Sequence, residues 1–403
     1  MAVILENVAG WQYPALGDIC DVRDGTHDSP KYVEDGFPLI TSKNLTEDGL
    51  CFEKVSYITR EDHDAIEKRS AVSDGDILYG MIGTVGNPVI VKKNRDFSVK
   101  NVAIFKFLEE SLILNKYLFY VLSSDFVARQ ISKESKGGTQ KFVSLKVLRG
   151  LKVPLPPLET QKQIAAVLEK ADQLRKDCLQ MEQELNSLAQ SVFIDMFGDP
   201  VTNPKGWETE SLDTIAKVQI GPFGSQLHKE DYIADGIPLI NPTHIVKGQI
   251  VPDMNLTLTP EKFETLPNYH LQTGDIIMGR RGEMGRTALI DERSQGWFCG
   301  TGSLYIRITS QLVQPAFLNS VMSCSSMKTW LEEQSLGATM PNLNKKILHS
   351  IQVPTPTAAV QKNYALALDG LCKQRQEQKE HIKELDGLFL ALIQKAFKGE
   401  LNL

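Results

Sequence analysis

Apolar residues in the middle of the chain recur at alternating steps of three and four: Ala171, Leu174, Cys178, Met181, Leu185, Leu188 and Val192. That spacing predicts a long helix with a coiled-coil seam. Just before it, Pro154, Pro156 and Pro157 forbid helix, since each lacks an N–H and pushes its predecessor into extended geometry. From Leu158 the composition turns to Gln, Glu, Lys, Ala and Leu, which are good helix formers, and the run stops at Gly198, Asp199 and Pro200. Roughly forty residues at about 1.5 Å each make a rod of about 60 Å. The same pattern returns near the far end of the chain. Val153, Pro154, Pro156, Gln161 and Lys162 become Val353, Pro354, Pro356, Gln361 and Lys362, and Leu185, Leu188 and Val192 become Leu385, Leu388 and Leu392. The second seam is more polar, with Gln374, Gln378 and His381 in place of Leu174, Cys178 and Met181. Two such rods can bury their seams by packing antiparallel, and neither is stable alone in water.

The repetition extends beyond the rods. Trp11 to Leu16 opens one unit and Trp207 to Leu212 the next; Asp35 to Ile40 (DGFPLI) matches Asp235 to Ile240 (DGIPLI). Gly75 to Gly86 matches Gly274 to Gly285, and Gly137 to Leu148 matches Gly337 to Leu348. The chain therefore reads as two copies of a globular unit followed by a rod, for which a pseudo-twofold arrangement is expected. Within the units, short apolar runs punctuated by turn residues predict strands at Phe37–Ile40, Asp76–Tyr79, Pro88–Val91, Val102–Phe107 and Leu304–Ile308. Helices are expected over Leu112–Glu134 and Pro315–Gln334. The fold class is mixed α/β (α+β), without regular β-α-β alternation. Expected segments are 1–157, a globular unit; 158–200, a long helix; 201–356, a second unit; and 357–403, a second helix.

With 403 residues, each unit can hold its own core. No apolar run reaches the ~18 residues of a membrane span, and the first residues lack the basic start of a signal peptide. The six cysteines form no C-x-x-C pair, so reduced, buried thiols in a cytoplasmic protein are expected. A net charge of −6 argues against a wholesale polyanion binder. Its distribution changes that picture. Residues 11–79 carry seven Lys/Arg against fifteen Asp/Glu, whereas residues 80–150 carry twelve against five. The second copy places Arg280, Arg281 and Arg286 in its Gly-rich turn. Basic side chains beside Asn, Gln, Ser and Thr suit phosphate and base-edge contacts. For any one of them a solvated surface is the plainer reading; for the lobe as a whole, nucleic acid is favoured.

Signs of catalysis are weak. The runs Gly80, Gly83, Gly86 and Gly279, Gly282, Gly285 lack Rossmann spacing and a following helix, so a tight turn near a partner is expected instead of a phosphate loop. Asn241 to His244 departs at two positions from the N-P-P-[YF] motif of amino-methyltransferases, and Pro252-Asp253 with Glu377 and Lys379 is too widely split for a nuclease. No metal-spaced Cys/His cluster and no H-E-x-x-H or G-x-S-x-G occurs.

Taken together, the ordered and duplicated blocks resemble the specificity subunit of type I restriction–modification systems. The family's marker is the PLPPL-x-x-Q-x-x-I lead-in to each long helix, here Pro154 to Ile164. The Phe197–Asp199 and Phe397–Leu401 endings agree with it, and Thr355, Thr357 and Val360 depart from it in the second copy. The resemblance implies two target-recognition domains, each reading half of a split DNA sequence through the major groove, with antiparallel helices setting the spacing. It implies two modification (M) subunits forming an adenine-N6 methyltransferase that uses S-adenosylmethionine, and restriction (R) subunits that use ATP and Mg²⁺. The chain itself would be non-catalytic, bind no cofactor or metal, and contact no membrane. A rod of about 60 Å exceeds one DNA turn of about 34 Å. Candidate DNA contacts are Lys43, Asn44, Lys92, Lys93, Lys100, Lys136, Thr139, Gln140, Lys141, Arg280, Arg281, Arg286, Asn342, Asn344 and Lys345. The candidate helix–helix interface is Leu174, Met181, Leu185, Leu188, Leu385, Leu388 and Leu392. Two competing readings are a stand-alone DNA methyltransferase with diverged motifs and a coiled-coil scaffold that binds only proteins.

Overall fold

The computed structural model describes residues 8–107, 110–134, 142–223, 226–281, 285–335 and 342–403. The chain divides into two compact units, Met1–Leu179 with Glu380–Leu403, and Gln180–Lys379. Two 40-residue helices, Leu158–Phe197 and Ala358–Phe397, lie where the prolines and the helix formers place them. Each unit takes part of both, together with one globular lobe.

Both lobes are built on one strand plan. In the first, the antiparallel order is Asp21–Asp24, Val102–Lys106, Ile77–Gly80, Gly86–Ile90. In the second it is Ala216–Ile220, Ser303–Ile308, Ile276–Gly279, Thr287–Leu289. Beside these, Phe37–Ile40 runs parallel to Ser98–Val99, as Leu239–Ile240 does to Phe298–Cys299.

The repeated sequence blocks have physical reasons. Gly75 and Gly274 adopt φ +82 and +91, where a side chain is strained. The aspartates that follow are buried and ion-paired across the sheet: Asp76 with Lys106 at 2.6 Å, Asp275 with Arg307 at 2.6 Å. A Cβ on Gly36 would lie 2.3 Å from the Ile58 carbonyl oxygen, and one on Gly236 2.5 Å from that of Leu258. Gln161 is buried; its Oε1 accepts from Leu114 N (2.9 Å) and its Nε2 donates to the carbonyls of Leu112 (3.0 Å) and Pro156 (2.9 Å). Gln361 repeats this with Gln314 N, Leu312 O and Pro356 O. The glutamine of the lead-in therefore fastens each long helix to its lobe.

Two expected helices are each interrupted. Asn115–Leu122 and Asp125–Glu134 replace a continuous Leu112–Glu134, and Pro315–Ser323 and Ser325–Ser335 replace Pro315–Gln334. The buried Ser124 hydroxyl donates to the Val121 carbonyl, and Cys324 turns extended, so hydroxyl-rich junctions stop the first helix and restart a second.

The lobe cores take in the helix ends. In the first unit Ile164 and Leu168 of one helix and Ile393, Ala396 and Phe397 of the other share a cluster with Val22, Phe105 and Tyr117, so the helices run antiparallel there. In the second, Phe193, Phe197 and Tyr364 pack with Phe317 and Ile306. Each fully buried Ile, Leu, Val or Phe among them contributes about 1.5–3 kcal/mol.

The expected seam is half corrected. Leu185, Leu385 and Leu392 are half-buried, but Leu174, Met181, Leu188 and Leu388 are about half exposed. The buried face is rotated by about one position. In the first unit it runs through Asp172 and Arg175, with Arg175 3.4 Å from Asp386 and 5.4 Å above the Phe389 ring. Paired charges and an aromatic occupy the place the spacing assigned to leucines, because an ion-paired arginine can lie along an apolar face. Of the cysteines, Cys20 and Cys299 are buried and burial pushes the Cys20 thiol up to about 12, whereas Cys372 is exposed. Among the described residues no helix is long and apolar enough to cross a membrane.

Candidate nucleic-acid interface

In the first lobe the Gly75–Asp76 end of the sheet faces the long helix, through Asn115 Nδ2 on the Gly75 carbonyl (3.0 Å) and Leu114 N on Gln161. The opposite strand ends gather polar turns: residues 25–29 after Asp24, 41–44 after Ile40, 81–85 after Gly80, and 99–101 before Val102. Their backbones are stitched together by Thr26 N to Val99 O (3.0 Å), Asn101 N to Thr26 O (3.1 Å) and Met81 N to Asn101 O (3.3 Å). A Cβ on Gly80 would lie 2.3 Å from the Thr84 oxygen, so this glycine closes the turn on itself, while Gly83 (φ +76) is open to its surroundings. No helix follows; a strand does, which rules out a phosphate loop at this turn.

The second lobe gathers the same turns. Gly221 N donates to Ser303 O (2.9 Å), Arg280 N to Gly302 O (3.1 Å) and Leu343 N to Arg280 O (3.1 Å). Arg280 is buried, and its Nε donates to Asn342 Oδ1 at 2.8 Å. Burial first, then the charge of Arg281, lowers its pKa. Arg281 is exposed beside it, and Arg286 is half-buried across the turn, where its carbonyl accepts from Gly279 N (2.9 Å).

Several candidates therefore sit at the turn end: Lys43, exposed; Lys100, whose Nζ donates to Ser29 Oγ at 2.9 Å; and Arg280, Arg281, Arg286 and Asn342. Others do not. Lys92 and Lys93 follow Gly86–Ile90 at the opposite end, near Asp74, and Lys93 pairs with Asp96 at 3.2 Å. Asn44 is buried, and its amide is spent on the fold: Oδ1 accepts from Thr41 N, Nδ2 donates to the Cys51 and Lys54 carbonyls. Asn344 caps the short helix Lys345–His349 by accepting from Ile347 N (3.0 Å), which leaves Lys345 exposed on its first turn. Short polar side chains at turn and helix starts satisfy backbone first, and the sequence pattern does not separate that duty from recognition. Lys136, Thr139, Gln140 and Lys141 lie outside the described residues.

The structure adds a group the spacing did not single out. His27 Nε2 lies 2.9 Å from Asp24 Oδ2 and its Nδ1 2.9 Å from Asn101 Oδ1; Arg69 bonds the other Asp24 oxygen. Burial alone would raise the Asp24 carboxyl, but bonds from Arg69 and His27 outweigh it and hold it below its usual range. Bonds to Asn101 and Asp24 lift the His27 imidazole above its ordinary value. In the second lobe the same strand register places Phe223 where His27 stands and Gly302 where Asn101 stands. The signal available in sequence was the pair Gly25-Thr26-His27 and Gly221-Pro222-Phe223, one glycine-led turn with different third residues.

Comparisons with known proteins agree with this duplicated plan. The sequence model of the type I restriction modification DNA specificity domain matches residues 9–188 and again 204–387. The chain is similar to the type I restriction enzyme MjaVIII specificity subunit of Methanocaldococcus jannaschii, 22% identical over 405 residues, covering 93% of this chain and 89% of that one. It is also similar to the EcoBI specificity subunit of Escherichia coli, 26% identical over 217 residues, covering 53% and 44%. Among solved structures, a chain from work on complex assembly and conformational transition of the type I R-M system superposes with a TM-score of 0.60 at 19% identity, covering 98% of this chain and 99% of that one. The type I S subunit from M. genitalium gives 0.55 at 17% identity, with 98% of each covered.

Proposed function

This chain belongs to the type I restriction–modification DNA specificity family, and on that premise we propose that each lobe reads one half of a bipartite duplex target with the turns gathered at its outer strand ends. It is the DNA sequence-specificity subunit of a type I system, a non-catalytic role, and its partners are DNA and the modification and restriction subunits. The observation that carries the lobe-wise reading is the repetition itself. The same four strands in the same order present polar, partly basic turns at the same ends in both lobes, and the turn residues differ between them. In the functional division we propose, residues 1–157 and 201–356 recognise DNA, and 158–200 and 357–403 set the spacer and dock two modification subunits. Val167, Leu174, Met181 and Leu188, exposed at seven-residue intervals, support a partner-binding face on the first helix.

Exchanging residues 1–157 for those of a relative tests the assignment. The methylated motif, mapped by sequencing DNA from cells with and without the chain, should change in one half-site only. A change in both halves, or methylation that ignores the exchange, would overturn it.

A further inference from the structure

We infer that Asn101 is a reading residue of the first lobe and His27 its positioning residue: cationic His27 holds the Asn101 carboxamide oxygen inward, so that its NH₂ is offered to an acceptor on the duplex. This rests on the proposed reading of DNA by the turn ends and extends it to named atoms.

Asn101 has φ +55, a conformation that costs a non-glycine residue on the order of 1 kcal/mol. The second lobe places Gly302 at the same register without a positive φ, so this backbone conformation and the side chain it carries belong to the first lobe alone. The Asn101 backbone is pinned on both sides, by Thr26 O on its N–H and by Met81 N and Ser42 Oγ on its carbonyl. Its side chain therefore leaves a fixed point in a fixed direction. Among the described residues, nothing accepts from its Nδ2.

The imidazole decides which face of the amide turns outward. Asp24, ionised and held by Arg69, keeps a proton on His27 Nε2. When Nδ1 is protonated as well, it must donate, and Asn101 Oδ1 is the acceptor at 2.9 Å. When Nδ1 loses its proton it needs a donor, so the carboxamide turns over and offers its oxygen instead. One amide thus shows the duplex opposite hydrogen-bond polarity on either side of the His27 titration. The charged groups around the ring are Asp24 on its own strand, Arg69 from the helix Arg60–Ser70, and Lys100, which reaches Ser29 two residues on. Because the inward oxygen is occupied, the two-bond asparagine–adenine pairing is not available to the cationic form. The outward NH₂ suits a phosphate oxygen, a purine N7 or a guanine O6.

The test uses the full chain with its modification subunits. With wild type, affinity for the mapped target should fall about tenfold as pH rises through the His27 titration, since the cationic form is the donor-presenting one. Asn101→Gly accepts the positive φ of this position without strain and removes only the amide. It should lose about tenfold in affinity and its pH dependence, with the second half-site still methylated. Relaxation at one base of the first half-site identifies a base contact; uniform weakening with a salt slope reduced by about one identifies a phosphate. His27→Gln should fold and bind but flatten the pH profile. Asn101→Gly with wild-type affinity, motif and pH profile would overturn the inference while leaving lobe-wise reading intact, and a pH slope persisting in His27→Gln would remove His27 from it. A wild-type assembly that methylates no bipartite motif would instead overturn the function proposed above.

Discussion

Three residues past the first edge strand, one lobe has His27, bonded on both ring nitrogens, and the other has Phe223, 62% exposed. On the partner strand, Asn101 of one lobe corresponds to Gly302 of the other, while the buried pairs Lys106–Asp76 and Arg307–Asp275 are the same contact with a different cation. Divergence is thus graded along the strands. Near the long helix the two lobes repeat the glutamine clasp atom for atom and the aspartate pair with a changed cation; at the turns they exchange a polar network for an exposed ring. A scaffold held by buried charge pairs and glutamine clasps leaves its far ends free to change chemistry, because nothing in the core depends on them.

The comparison breaks most visibly if the shared framework is removed. Asp76→Ala and Asp275→Ala each strand a partly buried cation and should cost about 3 kcal/mol, in equal measure for the two lobes; denaturant midpoints of the full chain would report it, and a loss in one lobe alone would end the equivalence. Gln161→Ala and Gln361→Ala should each cost about 2 kcal/mol by leaving a backbone N–H and two carbonyls without their partner, read in the same assay. At the tips the effect moves from stability to recognition. Phe223→Ala should reduce discrimination by about 1 kcal/mol at one position of the second half-site, as for a ring on a thymine methyl, and leave the first half-site unchanged in the methylated motif.

Smaller still is the pH signature of the Asp24–His27 pair in the first lobe. Asp24 titrates below its ordinary value, so its stabilisation is present above the usual carboxylate range and lost as pH falls through the lowered value. His27 titrates above its own, so its contribution is full below its ordinary value and lost as pH rises through the raised one. Asp24→Asn should flatten both flanks of the stability profile of this lobe, measured by thermal unfolding, and Phe223→Ala should alter neither. Leu174→Glu and Met181→Glu should change folding stability by no more than about 0.5 kcal/mol; their effect should be weaker capture of modification subunits by sedimentation, and unchanged capture would clear that face of the role proposed for it.

Much of this plan is legible in the sequence because the residues that build it act locally. Prolines followed by helix formers place the starts of both long helices to within a residue, and the glycine–aspartate and proline–leucine blocks mark strands whose geometry they dictate. The helix face and the site are legible only in part. An alternating spacing fits two neighbouring faces of one helix, and what buries Asp172 and Arg175 in place of Leu174 is a lobe and a second helix distant in sequence. Asn44 and Asn101 look alike as polar turn residues, yet one spends its amide on the fold and the other turns it toward a histidine. Which does which depends on backbone angles and neighbours from three separate turns.

The first lobe closes its core with Ile393, Ala396 and Phe397, residues synthesised long after its strands. During translation the second lobe, contiguous from Gln180 to Lys379, is finished while the earlier one still waits with Tyr117 uncovered. The half of the molecule made first is completed last, so a ribosome that stops early releases a chain whose downstream half is whole and whose upstream half is not.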